Sequence, residues 1–176
     1  MASNGGVDTS SIALASKPSH VAYKDMRFLI MDRPTEVNLP TYLRELKKAG
    51  VTDIVRVCEP SYSADEVSKS GIAMHEIPFE DGRSPPPEVI TNWLAVVKSM
   101  KASKGCIAVH CVAGLGRAPV LVAVALMEGG MEAQDAVAAI RKVRAEFGGP
   151  RAEGRGPRAE GGVLYCCTTA PPVRFT

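Results

Sequence analysis

An unbroken apolar run, Cys106-Ile107-Ala108-Val109-His110, passes directly into Cys111-Val112-Ala113-Gly114-Leu115-Gly116-Arg117 and then into the apolar segment Ala118–Met127. A run without polar alternation is what a strand needs when both its faces are covered, and such strands belong to parallel sheets packed between helices. Gly114 and Gly116 have no side chain, so they allow a tight loop whose backbone N–H groups turn inward. The loop feeds the N-terminus of a helix, where unsatisfied N–H groups and the helix dipole attract negative charge. The same field favours the thiolate form of Cys111 at the base of the loop. Arg117, six residues on, can fold back and hold two oxygens of a phosphate. A thiolate, a ring of amides and an arginine fork around one tetrahedral dianion make a covalent phosphoryl-transfer site. A plain buried cysteine followed by a surface arginine would need neither the glycines nor the strand–loop–helix setting.

The rest of the chain fits one domain of ordinary size, with 176 residues and a hydrophobic fraction of 45%. A net charge of +2 is too small for a nucleic-acid or polyanion binder. The nearest approach to a membrane span, Gly105 to Met127, is interrupted by Arg117. The N-terminal stretch lacks the basic and apolar regions of a secretory signal, and Ala2 stands where a myristoylation signal needs glycine. Five cysteines, an odd number, come without a signal, a CxxC pair or a histidine cluster. We therefore expect neither a disulfide framework nor a metal site, and no cofactor; a reducing, cytoplasmic setting follows.

Composition divides the chain into a Ser/Ala/Gly-rich arm over residues 1–19, a patterned domain over 20–147, and a Gly/Pro-rich tail over 148–176. GPRAEG occurs twice in the tail, which has no apolar periodicity and reads as disordered. Within the domain, strands are expected at Arg27–Met31, Asp53–Cys58, Ile72–Pro78 and Cys106–His110. Helices are expected from Leu39 to Ala49, with Leu39, Leu43 and Leu46 inward, and from Ser63 to Ser70, with Glu66 completing a capping box. Further helices are expected after Pro85-Pro86-Pro87, with Ile90, Trp93, Leu94 and Val97 inward, at Ala118–Met127, and at Glu132–Arg144. The last would bury Ala136, Val137, Ile140 and Val143. Trp93 on such a face is a core residue, as is Cys106. The alternation gives an α/β fold with a central, mainly parallel sheet flanked by helices.

The pattern H-C-x2-G-x2-R resembles the signature of cysteine-dependent protein tyrosine phosphatases. The longer run from His110 through Ala118-Pro119-Val120-Leu121 is similar to the phosphatase of regenerating liver family, protein tyrosine phosphatase type IVA. Three more segments share the resemblance: Tyr23–Ile30, Gly50–Cys58 and Pro78-Phe79-Glu80-Asp81-Gly82. It spans roughly residues 20–147 in unchanged order. The resemblance implies the cysteine-phosphatase fold and a protein tyrosine or dual-specificity phosphatase working through a phosphocysteine. Cys111 would be the nucleophile, Arg117 the phosphate clamp, and His110 the group that tunes the thiolate and braces the loop. Val112, Ala113, Gly114, Leu115, Gly116 and Arg117 would bind substrate. Asp81 would be the general acid on a segment, bounded by Gly82 and Pro85, able to close over the site. Without the family, Glu80 and Asp81 read simply as solvated loop acids. Cys58 would form a reversible disulfide with Cys111, where its own sequence context favours a small buried hydrophobe.

Most cysteine phosphatases place Ser or Thr after the arginine. Ala118 stands there instead, as in the regenerating-liver family, which implies slow turnover. The family also ends in a polybasic stretch and a C-terminal prenylation box. This sequence ends Val173-Arg174-Phe175-Thr176, and Cys166-Cys167 is followed by nine residues. Peripheral association with plasma membrane or endosomes thus loses its usual anchor. Expected partners are a phosphoprotein or phosphoinositide substrate, with a homo-oligomer also compatible. An alternative from the same family is a catalytically weak module. It would clamp the CBS-pair domains of magnesium transporters by accepting an acidic loop into the phosphate pocket. A rhodanese-like sulfurtransferase also places a cysteine at the base of an anion loop, but Arg117 and the Asp81 turn favour the phosphatase.

Overall fold

The computed structural model describes residues 18–147. Among these residues the chain runs β1 (Ser19–Tyr23), β2 (Met26–Met31), α1 (Leu39–Lys48), β3 (Asp53–Arg56), α2 (Ala64–Lys69) and β4 (Ala73–Glu76). It continues through α3 (Pro87–Ser103), β5 (Ile107–His110), α4 (Arg117–Glu128) and α5 (Ala133–Phe147). The strands form one sheet in the order β1-β2-β5-β3-β4. Only β1 and β2 are antiparallel; β2–β5, β5–β3 and β3–β4 are parallel.

The central strand β5 shows why its sequence has no polar alternation. Ile107 and Val109 face a core with Trp93 of α3, Leu121 and Leu126 of α4 and Ile140 of α5. Cys106, just before the strand, and Ala108 face the other core, with Leu39, Tyr42 and Leu46 of α1 and Val67 of α2. Both faces are dry, so every position must be apolar. Trp93 lies fully in the core and its indole Nε1 donates to the Leu121 carbonyl at 2.6 Å, joining α3 to α4.

Several local readings change. Strand β1 has no counterpart among the expected elements, and Ser19, assigned to the arm, begins it and is buried. Its hairpin turns on Lys24-Asp25, with Lys24 at φ 52, and so lacks the Asn-Gly or Asp-Gly signal of a two-residue turn. In α1, Tyr42 is fully buried while Leu43 packs only partly, because the Tyr42 hydroxyl donates to Asp32 Oδ1 at 2.7 Å. Ser63 caps α2 as expected, but its hydroxyl accepts from the Asp65 N–H; Glu66 pairs with Lys69 instead of closing a box. In α3, Val89, Trp93, Val97 and Met100 are the buried residues, whereas Ile90 and Leu94 are partly exposed. Strands β3 and β4 end at Arg56 and Glu76, short of Cys58 and Pro78. The tail with its repeat, and Cys166 and Cys167, lie outside the described residues, as does the arm up to residue 17.

The four parallel strands point the same way, so their last residues, Met31, Arg56, Glu76 and His110, converge on one edge of the sheet. The loops that follow meet there, which is where open α/β sheets bind ligands.

Candidate active site

Cys111 leaves the end of β5 and is buried. The loop after it folds tightly because Gly114 takes φ 62 and lies against the end of β2. A Cβ at that position would stand 2.7 Å from the Met31 carbonyl oxygen. Any other residue would combine a strained backbone with a clash against main chain. The Arg33 N–H donates to the Val112 carbonyl at 3.2 Å and fixes the outer limb. Among the described residues, no backbone carbonyl accepts from the N–H groups of residues 113–116 outside a helix or strand. These donors stand free at the mouth of α4, where the helix N-terminus adds its own partial positive charge.

Arg117 is the first residue of α4, and its side chain folds back over the loop. Nη1 donates to the carbonyls of Val57, at 3.0 Å, and Phe79, at 3.1 Å. One guanidinium thus ties the end of β3 to the segment bearing Asp81. Its Nε lies 3.3 Å from Asp81 Oδ1 but makes no hydrogen bond, which leaves a buried donor unpaired. An orphaned buried N–H costs about 1–3 kcal/mol and is normally met by a ligand or water. Asp81 itself is 71% exposed and Arg117 only 12%, so the carboxylate stands at the mouth and the guanidinium beneath it. Gly116 permits that approach, since a Cβ there would sit 3.2 Å from Asp81 Oδ1. Glu80 pairs outward with Arg83 at 3.7 Å and takes no part.

His110 is fully buried. Its Nδ1 lies 3.3 Å from the Cys111 carbonyl and its Nε2 2.5 Å from the Tyr62 hydroxyl. A carbonyl only accepts, so Nδ1 carries the proton, Nε2 accepts, and Tyr62 donates. Burial pushes the His110 pKa down to about 4, keeping the ring neutral and this tautomer in place. Burial also raises the Tyr62 hydroxyl well above its usual range, so it retains the proton it donates. Arg56, only 3% exposed, donates from Nη1 to the Tyr62 carbonyl at 2.8 Å, lies over the Tyr62 ring, and pairs with Glu76. A continuous chain of contacts therefore runs from Glu76 through Arg56, Tyr62 and His110 to the backbone of Cys111.

Cys58, Cys106 and Cys111 are all free and buried. The Val57 N–H donates to the His110 carbonyl at 3.0 Å, so β3 and β5 stay side by side past their ends and carry Cys58 alongside Cys111. Burial raises the Cys58 thiol, Arg117 lowers it, and the neighbouring Cys111 raises it. Cys106 faces the opposite core, and burial pushes its thiol up to about 11.

The residues read from the sequence, Cys111, the 112–117 loop, His110, Asp81 and Cys58, thus meet at one edge of the sheet. Tyr62, Arg56 and Arg33 also belong to it, and the sequence reading missed them. The one available signal was a lone aromatic in the polar loop Pro60-Ser61-Tyr62-Ser63. Among the described residues no group of three or more His, Cys, Asp or Glu is placed to hold a metal ion. No described helix is long and apolar enough to cross a membrane.

Comparison with known proteins places the chain in a family. A family model described as a polymorphic toxin system DSP-PTPase phosphatase matches residues 30–131. Human protein tyrosine phosphatase type IVA 3 is 51% identical over 129 residues, covering 72% of this chain and 75% of that protein. The PRL-1 phosphatase of Drosophila melanogaster is 49% identical over 133 residues, covering 74% and 76%. A solved structure described as a protein tyrosine phosphatase of Leishmania major superposes with a TM-score of 0.67 at 42% identity, covering 72% of this chain and 88% of that one. With a loop of free amides at the end of β5 and about half of the matched residues identical to those of the two curated relatives, the chain belongs to the protein tyrosine phosphatase type IVA, or PRL, family of cysteine phosphatases.

Proposed function

We propose that this protein tyrosine phosphatase hydrolyses phosphotyrosine, or a similar phosphomonoester, in two steps at Cys111. The observation that carries the reading is the unpaired Nε of Arg117, buried beneath the Asp81 carboxylate and beside the free amides of the loop. A phosphate dianion in the loop supplies the acceptor oxygens these donors lack. The Cys111 thiolate attacks phosphorus, the S–P bond forms, and the bond from phosphorus to the ester oxygen breaks. Asp81 gives its proton to that leaving oxygen. Water then attacks phosphorus and loses its proton to the Asp81 carboxylate. The S–P bond breaks, releasing inorganic phosphate and restoring the thiolate. His110 stays neutral throughout and steadies the Cys111 carbonyl, and the amides of Val112, Ala113, Gly114, Leu115 and Gly116 line the phosphate with Arg117.

A pocket that merely clamps an acidic loop needs no acid, so the placement of Asp81 on Arg117 favours turnover over the partner-binding alternative. Ala118, fully buried at the start of α4, offers no hydroxyl to the departing thiolate, which favours a slow second step. Cys58 is the thiol positioned to trap an oxidised Cys111 as a disulfide: Cys111 sulfenic acid condenses with the Cys58 thiol, forming S–S and releasing water.

The test is phosphate release from an aryl phosphate with a poor leaving group by the native chain, Asp81→Ala and Cys111→Ser. Cys111→Ser should be inactive. Asp81→Ala should lose about a hundredfold in kcat/KM, which reports the first step, and lose less with p-nitrophenyl phosphate, whose leaving group needs little protonation. Equal loss on both substrates removes Asp81 from the acid role.

A further inference from the structure

We propose that Arg33 forms a second anion subsite on the rim of the catalytic loop, one that selects phosphotyrosine peptides with an acidic side chain beside the phosphorylated residue. The proposal rests on the phosphatase reading above and names the substrate class of the same pocket. The segment leaving β2 is pinned at successive residues. The Asp32 carboxylate accepts from the Tyr42 hydroxyl, the Arg33 N–H donates to the Val112 carbonyl, and the Pro34 carbonyl accepts from Ser61 Oγ at 2.8 Å. Close packing of Gly114 on Met31 locks the two segments further. The backbone of Arg33 is therefore fixed to the loop that cradles the phosphate, while its side chain is exposed.

That guanidinium has no carboxylate partner among the described residues. Several cations elsewhere on the surface have one: Lys48 with Glu45, Lys69 with Glu66, Arg83 with Glu80, and Lys101 with Asp25. The charge of Arg33 nevertheless reaches into the pocket. It helps to lower the Cys58 thiol and opposes protonation of His110. The large exposed hydrophobics stand on the same two segments: Val37 just beyond Arg33, and Val112 and Leu115 on the loop, at 78%, 46% and 72% exposure. Apolar side chains set around a polar pocket are surface left for a ligand's body. An aromatic ring reaching the phosphate cradle over Val112 and Leu115 carries its flanking residues past a free, fixed arginine. A carboxylate in that place gains a partner that the fold leaves open. On the acid-loop side Arg83 pairs with Glu80, and the buried Arg117 serves the phosphate itself, which makes Arg33 the recognition charge.

The test uses the full chain carrying Cys111→Ser, which binds without turnover, and two phosphotyrosine peptides differing only in Glu or Gln beside the phosphotyrosine. Anisotropy titrations at low salt should show about threefold tighter binding of the Glu peptide, fading at roughly 0.5 M salt as expected of an exposed pair. Arg33→Gln in the same background should bring the ratio to one, and Arg33→Glu should invert it. Arg44→Gln, an exposed arginine of α1, should leave it unchanged. An unaltered ratio in Arg33→Gln, or no preference in the parent, overturns the proposal. If Arg33→Gln weakens binding of vesicles containing a phosphoinositide but not the peptide ratio, the peptide assignment is overturned. Failure of the underlying phosphatase reading looks different: the native chain releases no phosphate from p-nitrophenyl phosphate and neither peptide binds, which removes this proposal with it.

Discussion

Tyr62 holds the catalytic loop without touching the phosphate cradle. Its hydroxyl supplies the one donor that a neutral His110 needs at Nε2, and the ring then offers Nδ1–H to the carbonyl of Cys111. Tyr62→Phe keeps the ring and removes the donor. The orphaned buried acceptor should cost about 1–3 kcal/mol, read as a lower urea midpoint, together with a drop in kcat. Gly114 is the residue the loop can least replace. Gly114→Ala adds a left-handed strain of about 1–2 kcal/mol to a clash with the Met31 carbonyl, so the loop opens. Vanadate should then no longer inhibit p-nitrophenyl phosphate hydrolysis at concentrations that saturate the native chain. Ala118 acts on rate rather than shape. Ala118→Ser should speed breakdown of the phosphocysteine, so that stopped-flow traces show a higher steady-state rate and a smaller burst.

At the level of elements, the site is made by the meeting of β5, β3 and α4. Arg117 gathers them, since its Nη1 holds the carbonyl after β3 and the carbonyl of Phe79 while its backbone opens α4. The position of α4 depends in turn on α3, through the fully buried Trp93 and its hydrogen bond to Leu121. Trp93→Ala should therefore cost about 3–5 kcal/mol by chemical denaturation, the range for removing a buried aromatic. Because the cavity opens under α4, Arg117 should shift, and KM for an aryl phosphate should rise in the molecules that remain folded. The elements also show where sequence patterns fail. Apolar spacing located α1, α3, α4 and α5. It missed β1, whose short Ser-His-Val-Ala-Tyr run relies on pairing with β2 and turns on Lys24-Asp25. The capping box expected at Ser63 and Glu66 gave way to an ion pair with Lys69, because on an exposed helix face that partner is three residues away.

Across the whole molecule, burying a neutral histidine makes stability depend on pH. The folded His110 has its pKa lowered by burial to about 4 from the usual 6.5. Above pH 6.5 both states are neutral and the shift contributes nothing. Between about 6.5 and 4 the unfolded chain takes up a proton that the folded chain refuses, so stability falls as pH falls. Below about 4 the folded state also protonates and the loss levels off, at about 3 kcal/mol in all. Urea midpoints measured from pH 7.5 to 4 should show this slope, and His110→Gln should flatten it. The sequence alone determined the α/β class and the family, and it marked out the loop after β5, because these are written in neighbouring residues: an unbroken apolar strand, two glycines, and an arginine six places after a cysteine. Only the tertiary structure decided what lies across from them. The reach of Asp81 to Arg117, the Glu76–Arg56–Tyr62–His110 chain, and the unpartnered Arg33 against Val112 join residues far apart in order. Local chemistry sets what a segment becomes, but sheet register and helix packing set which segments meet, and no spacing along the chain encodes that meeting.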